Sequence, residues 1–332
     1  MNSIRRRRRG LLTGVLLAVV FTATAASAAE PGERCTQSSP TVTIGLSQRS
    51  FSYLPTVLGQ AKGFYCDEGL NVVNTMISDG AAPPAVVGGN LDYVVNVANV
   101  VAAAASGLDL KMVAMVTSKP YFVLIAPSTV KSVKDLKGMY IGITSPGSST
   151  QSMLTAVLAA NGMTANDVYM QPLGNAQGIV AALFSNQIQA GMIYPPFDVQ
   201  AVGRGFVRLV QSKEVTNVPL NALVTSGANI RQKPDQVMKV TKGTLRALHY
   251  IQTDREGTMA VMESSFGLAP DLVGEMYDTY KDIFSPDGVI SDVQAQAAID
   301  DARSRLPTAA SLTTDKLVDR SLLAAARKDM GF

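Results

Sequence analysis

The chain has 332 residues, a formal charge of +3, one histidine, two cysteines and no tryptophan. One imidazole and two thiols leave too few ligands for a histidine-based zinc site. Five of the 29 Lys and Arg residues fall within the first 29 positions, leaving 24 against 26 acidic residues, so the excess basicity implies no nucleic-acid partner.

The opening, MNSIRRRRRGLLTGVLLAVVFTATAASAAE, joins a basic start to an apolar run from Leu11 and a small-residue end. That pattern predicts a secretory signal peptide over 1–29, cleaved on export. The run is shorter than the roughly 20 residues a membrane span needs. Arg8 and Arg9 before Leu11 and Leu12 leave twin-arginine export open beside the Sec route. Cys35 and Cys66 follow, and an oxidising compartment allows them to pair. Closing that loop would contribute roughly 3–4 kcal/mol. Two unpaired thiols are the other reading.

TVTIGLS (41–47) reads as a strand, and the helix after it stops at Gly63. NVVNTMIS is a second strand, AAPPAVVGGN a short helix with prolines in its first turn, and LDYVVNV a third strand. The helix ANVVAAAASG ends at Gly107, and LKMVAMV and YFVLIAP are apolar enough for buried strands. The pattern restarts with the strand MYIGIT and the helix SSTQSMLTAVLAANG. DVYMQPL, IQAGMIY and FVRLVQ follow as strands, separated by helices at AQGIVAALFSNQ and FDVQAVGRG. From about Asn229 to Phe332 the chain is almost all helix. Strands alternating with helices predict an α/β protein of parallel-rich sheets with helices on both faces and a helical C-terminal segment. Two lobes are expected, one at 41–125 plus about 220–332 and one at 127–216, with a hinge near 124–128 and 215–222. A cleft would lie beyond the carboxyl ends of the strands.

The strand-to-helix junctions carry the candidate site. The sequence GSST (147–150) sits where a strand hands over to a helix. The first NH groups of a helix are unpaired and partly positive, so Gly147, Ser148, Ser149 and Thr150 could grip an anion. No Lys follows as in a nucleotide loop, and the same residues serve equally as ordinary helix caps. Other junctions offer Gln48, Arg49, Phe51 and Tyr53; Asp79 and Gly80; Asn96 and Asn99; Asn175 and Gln177; Tyr194 and Asp198. Convergent amides and hydroxyls with aromatic walls describe a binding cleft. Arg49 could hold an anion through two hydrogen bonds, or pair with Asp79. Asp79 and Asp198 could instead hold an amine, and Phe51, Tyr53 and Tyr194 suit a flat ring. His249, within the helical TLRALHYIQ, is remote from these junctions, and without it no Ser-His-Asp set can be assembled. A protein other than an enzyme is expected.

The segment Ala61 to Val72, AKGFYCDEGLNV, resembles a helix signature of periplasmic substrate-binding proteins of ABC transporters in the nitrate, sulfonate and taurine family. VKDLKGMYIGITSPGSSTQSMLTAVLAANGMTANDV and ALFSNQIQAGMIYPP resemble two further family segments, so the likeness covers about 41–250. Asn186 and Gln187 stand where a glycine is usual, and Gln189 where an Asp is usual. Thiamine-pyrimidine synthases share the architecture, but their cysteine-rich motif and active-site histidine are missing. The resemblance implies a type II-like periplasmic binding protein that closes on a small organic anion (sulfonate, carboxylate or nitrate-like). It would act as a monomer, without cofactor, and deliver the ligand to a permease with a cytoplasmic ATPase. A periplasmic ligand-sensing module and a pyrimidine-precursor binding protein are the alternatives. By family analogy the ligand contacts are Gln48, Arg49, Phe51, Asp79, Gly80, Asn96, Asn99, Gly147, Ser148, Ser149, Thr150, Asn175, Gln177 and Tyr194.

Overall fold

The computed structural model describes Cys35 and residues 38–47, 50–146, 148–304 and 306–331. The expected signal peptide, Gln48, Arg49 and Gly147 lie outside the described residues. Ten strands form two five-stranded sheets. The first contains β1 (Thr41–Leu46), β2 (Asn71–Met76), β3 (Tyr93–Val95), β4 (Leu110–Thr117) and β10 (Asn221–Ser226), in the order β2-β1-β3-β10-β4. The second contains β5 (Val123–Pro127), β6 (Tyr140–Ile143), β7 (Tyr169–Pro172), β8 (Ala190–Ile193) and β9 (Phe206–Gln211), in the order β7-β6-β8-β5-β9.

The two sheets share one plan. In each, four strands run in one direction, and the fourth in the order lies antiparallel to both its neighbours. That fourth strand is the first one the chain makes after passing from the other half: β5 in the second sheet, β10 in the first. The sequence reading ends the first lobe with YFVLIAP, but β5 pairs with β8 and β9. The first passage therefore runs through 118–122, ahead of the expected 124–128, and the second through 212–220. An apolar run reports burial on both faces and carries nothing about which sheet receives it.

Helices cover both faces. Val42, Ile44 and Leu46 of β1 pack with Leu54 and Leu58 of the helix Leu54–Ala61, while Val94, Met112 and Val224 face Val100 and Val101 of the helix Ala98–Ala105. In the second half Leu124, Ile141 and Met192 pack on Leu154 and Val157 of the helix Ser149–Ala160. The helical C-terminal segment returns to the first sheet and ties down its outer strand. The Met115 NH donates to the Gly288 carbonyl at 2.7 Å, and the Asp319 NH to that of Met112 at 3.0 Å. Cys35 and Cys66 are joined as a disulfide, which fastens the segment before β1 beside the end of the first helix. Among the described residues no helix is long and apolar enough to cross a membrane.

Both departures from the family pattern have local explanations. Asn186 adopts φ 56°, the left-handed conformation that glycine and then asparagine tolerate best. The Gln189 side-chain oxygen accepts the Tyr140 NH at 3.1 Å.

Candidate functional site

A cavity of about 400 Å³ lies between the halves at the carboxyl ends of β1, β7 and β8. Its walls include Ser50 and Phe51 after β1, Gln177 after β7, Tyr194 and Phe197 after β8, and Phe266 from the C-terminal helices. The volume falls within the range of roughly 300–1,000 Å³ usual for small-molecule pockets. Each wall residue has a local cause. Ser50 caps the turn Phe51–Tyr53 by accepting the Ser52 NH. That turn presses the Phe51 ring edge-on to Phe284 at 5.1 Å and to Tyr280 at 6.3 Å, leaving it 4% exposed. Tyr194 is half-buried, with its ring centroid 6.2 Å from Tyr121, 5.7 Å from Phe122 and 5.9 Å from Phe197, each edge-on. Tyr53 is buried behind Ser50, and its hydroxyl is 2.8 Å from that of Ser47. Burial pushes the Tyr53 phenol up to about 12, so it stays neutral.

Of the sequence-predicted residues, the cavity brings together Phe51, Gln177 and Tyr194. Asp79, Asn96 and Asn99 form a second group. The Asn96 side-chain amide donates to Asp79 at 3.2 Å, and its oxygen accepts the Asn99 NH at 2.9 Å, in the first turn of the helix that follows. Gly80 is exposed beside Asp79. Ser148 and Thr150 spend their hydroxyls on their own turn. Ser148 accepts the Gln151 NH and donates to the Ser145 carbonyl at 2.6 Å, and buried Thr150 accepts the Thr144 NH at 2.9 Å. Ser149 lines a separate small cavity of about 80 Å³ with Val97, Ala98 and the 218–220 passage. Asn175 caps its helix by accepting the Gly178 NH at 2.9 Å.

Asp198 does not fit the expected role of an amine partner. It is completely buried, and its Oδ2 accepts Nε of Arg208 at 2.8 Å and the hydroxyl of Tyr280. Burial and then the Asp198 charge hold the Tyr280 phenol far above its ordinary value, so it remains a donor. His249 is exposed on the helix Pro234–Thr253. Sequence reasoning missed Tyr121, Phe197 and Phe266. Phe197 opens FDVQAVGRG, which the sequence reads as a helix. Phe266 just precedes Gly267, which ends its helix with φ 64°; an aromatic at such a stop was the available signal.

Residues 50–257 match the family described as NMT1/THI5 like. The chain is 29% identical over 289 residues to the riboflavin-binding protein RibY of Chloroflexus aurantiacus, covering 80% of this chain and 79% of that protein. Its structure resembles that of CAE31940 from Bordetella bronchiseptica RB50, with a TM-score of 0.69 and 27% identity, over 88% of this chain and 98% of the other. It also resembles the periplasmic aliphatic sulphonate binding protein SsuA of Escherichia coli, with a TM-score of 0.71 and 19% identity, over 84% and 92%. The last of these likenesses speaks for fold alone.

Proposed function

The chain belongs to the NMT1/THI5-like family, and from that premise we propose that it is the extracytoplasmic solute-binding component of an ABC importer whose cargo is a planar, flavin-like heteroaromatic compound. The observation that carries the cargo is the aromatic wall of the cleft: Phe51, Tyr194, Phe197 and Phe266 around one cavity, on both sides of the gap between the halves. Aromatic faces stack on any flat π-system. The likeness to a riboflavin-binding protein over 80% of the chain supports the same class. An organic anion is the competing cargo. Its grip would fall to Arg49, outside the described residues, and among the described members of the expected set the one charged side chain is Asp79, which repels an anion.

The two halves serve as lobes, and the passages at 118–122 and 212–220 as the hinge. Closure follows from tighter binding of cargo to the closed form. The monomeric, loaded protein then presents both lobes to its permease.

Riboflavin titrated into the protein from Glu30 onward is expected to lose fluorescence in a saturable, one-to-one manner as its ring stacks in the cleft. Calorimetric titration with an alkanesulfonate and with nitrate is expected to give no binding heat. Heat from either anion, with riboflavin fluorescence unmoved, would sink the flavin reading in favour of the anion.

A further inference from the structure

A second cavity adjoins the cleft at Phe266. Ser50 and Phe266 line this cavity too, which is about 290 Å³ and set between the helix Leu54–Ala61, strand β2 and the residues 264–266. Gln60 and Ser265 in turn line both that cavity and a third, of about 400 Å³, which reaches the Cys35–Cys66 disulfide. Shared wall residues set the three cavities side by side, as a row of hollows, here called the trough, that runs from the cleft along the first lobe. Its polar groups include Ser50, Gln60, Asn74, Ser264 and Ser265, and none of the described residues lining the two outer cavities is charged. Asn74 gives its amide hydrogens to Gln60 at 2.7 Å and to the Thr56 carbonyl at 3.3 Å, while its oxygen is buried without a partner. Buried acceptors ordinarily have a donor.

We propose that this trough is a subsite for a flexible, uncharged, hydroxylated chain attached to the planar cargo, an inference that rests on the flavin reading above. The ring stays among the cleft aromatics, and the chain leaves between Ser50 and Phe266 to run past Gln60 and Asn74. Hydroxyls both donate and accept, which matches amides and serines. A phosphate at the end of the chain meets no cation among the described trough residues and loses its water for nothing in return.

The test compares riboflavin, lumiflavin (the ring without the polyol) and riboflavin 5′-phosphate on the unaltered protein and on Ser265→Phe, which fills the trough where its two cavities meet. On the unaltered protein, riboflavin should bind about tenfold tighter than either of the others. Ser265→Phe should remove that advantage over lumiflavin while leaving lumiflavin affinity within about twofold, which also reports a folded cleft. Asn74→Leu asks the same question should Ser265→Phe fail to fold. Equal binding of riboflavin and lumiflavin, with neither variant changing it, overturns the subsite and leaves flavin cargo standing. Phosphate-bearing flavin that binds as tightly as riboflavin overturns the uncharged chain. Failure of all three to bind overturns the subsite together with the flavin reading.

Discussion

Arg208→Ala is expected to cost about 3–5 kcal/mol of stability, because it strands a buried charge. Arg208 lies on β9 and holds Asp198 at 2.8 Å through Nε and Glu275 at 2.8 Å through a terminal nitrogen. Asp198 has no exposure, and its Oδ1 is buried without a partner. With the guanidinium removed, the Tyr280 hydroxyl alone would support a carboxylate shut away from water. Glu275 and Tyr280 sit on the helix Pro270–Tyr280, whose Tyr280 ring touches Phe51 in the cleft wall. One buried carboxylate therefore joins the second half of the molecule to the helix behind the cleft. At roughly 2–4 °C per kcal/mol, thermal unfolding should begin some 6–20 °C earlier. A melting temperature within about 2 °C of the unaltered protein would show that water reaches Asp198 and that the pair is not sealed. Arg208→Lys keeps the charge but lacks the fork that spans two carboxylates, so it should fall between the two.

How far the fold could be read from the sequence follows from what periodicity carries. Nine runs of strand length stand out between Thr41 and Gln211, and each holds a strand, because short β-branched or apolar runs bounded by turn residues have few other structures to adopt. The helical tail was equally plain. Direction and partner were not. The sequence reading ends its strands at FVRLVQ, yet NALVTS is β10, a buried strand inserted antiparallel between β3 and β4. YFVLIAP lies in the other half from the one its position in the chain suggests, for the same reason. Hydrophobic patterning records that a strand is covered, and its sheet is decided by contacts more than 60 residues away, such as Val123 with Ile193.

The site was legible as a set of junctions and illegible as a set of roles. Strand ends that open onto a cleft need small, polar or aromatic residues, and so do helix caps. Asn96, Ser148 and Asn175 satisfy both descriptions in sequence; in the structure Ser148 and Asn175 cap their own helices, and Asn96 accepts an NH from the first turn of the helix after it. An amide that caps a helix can still meet a ligand with its remaining hydrogens, so one residue can serve both roles. Phe266 comes from a region with no junction pattern at all. It reaches the cleft only because the C-terminal helices fold back across the first half, and no local motif encodes that return.

Tyr194→Ala is expected to weaken riboflavin binding roughly 5- to 150-fold, the range set by about 1–3 kcal/mol for losing one aromatic face beneath a flat heterocycle. Tyr194 follows β8 directly, and its ring is fixed by Tyr121, Phe122 and Phe197, so little side-chain freedom remains to be lost when a ligand stacks. Its phenol is held above its ordinary value by burial and then by Tyr121, and it is neutral at any working pH. The ring and the hydroxyl can therefore be separated by substitution. Tyr194→Phe keeps the ring and should bind riboflavin within about twofold of the unaltered protein, with lumiflavin affected in the same proportion. A loss in Tyr194→Phe as large as in Tyr194→Ala would move the role to the hydroxyl, and the cleft would then recognise its cargo by hydrogen bonding. Because the proposal sets Tyr194 against the ring and Ser265 against the chain, the two variants should also act independently: Tyr194→Ala is expected to lower the affinity of riboflavin and lumiflavin alike, and Ser265→Phe that of riboflavin alone. Their combined effect on riboflavin should be close to the product of the separate factors, as for sites without a shared partner.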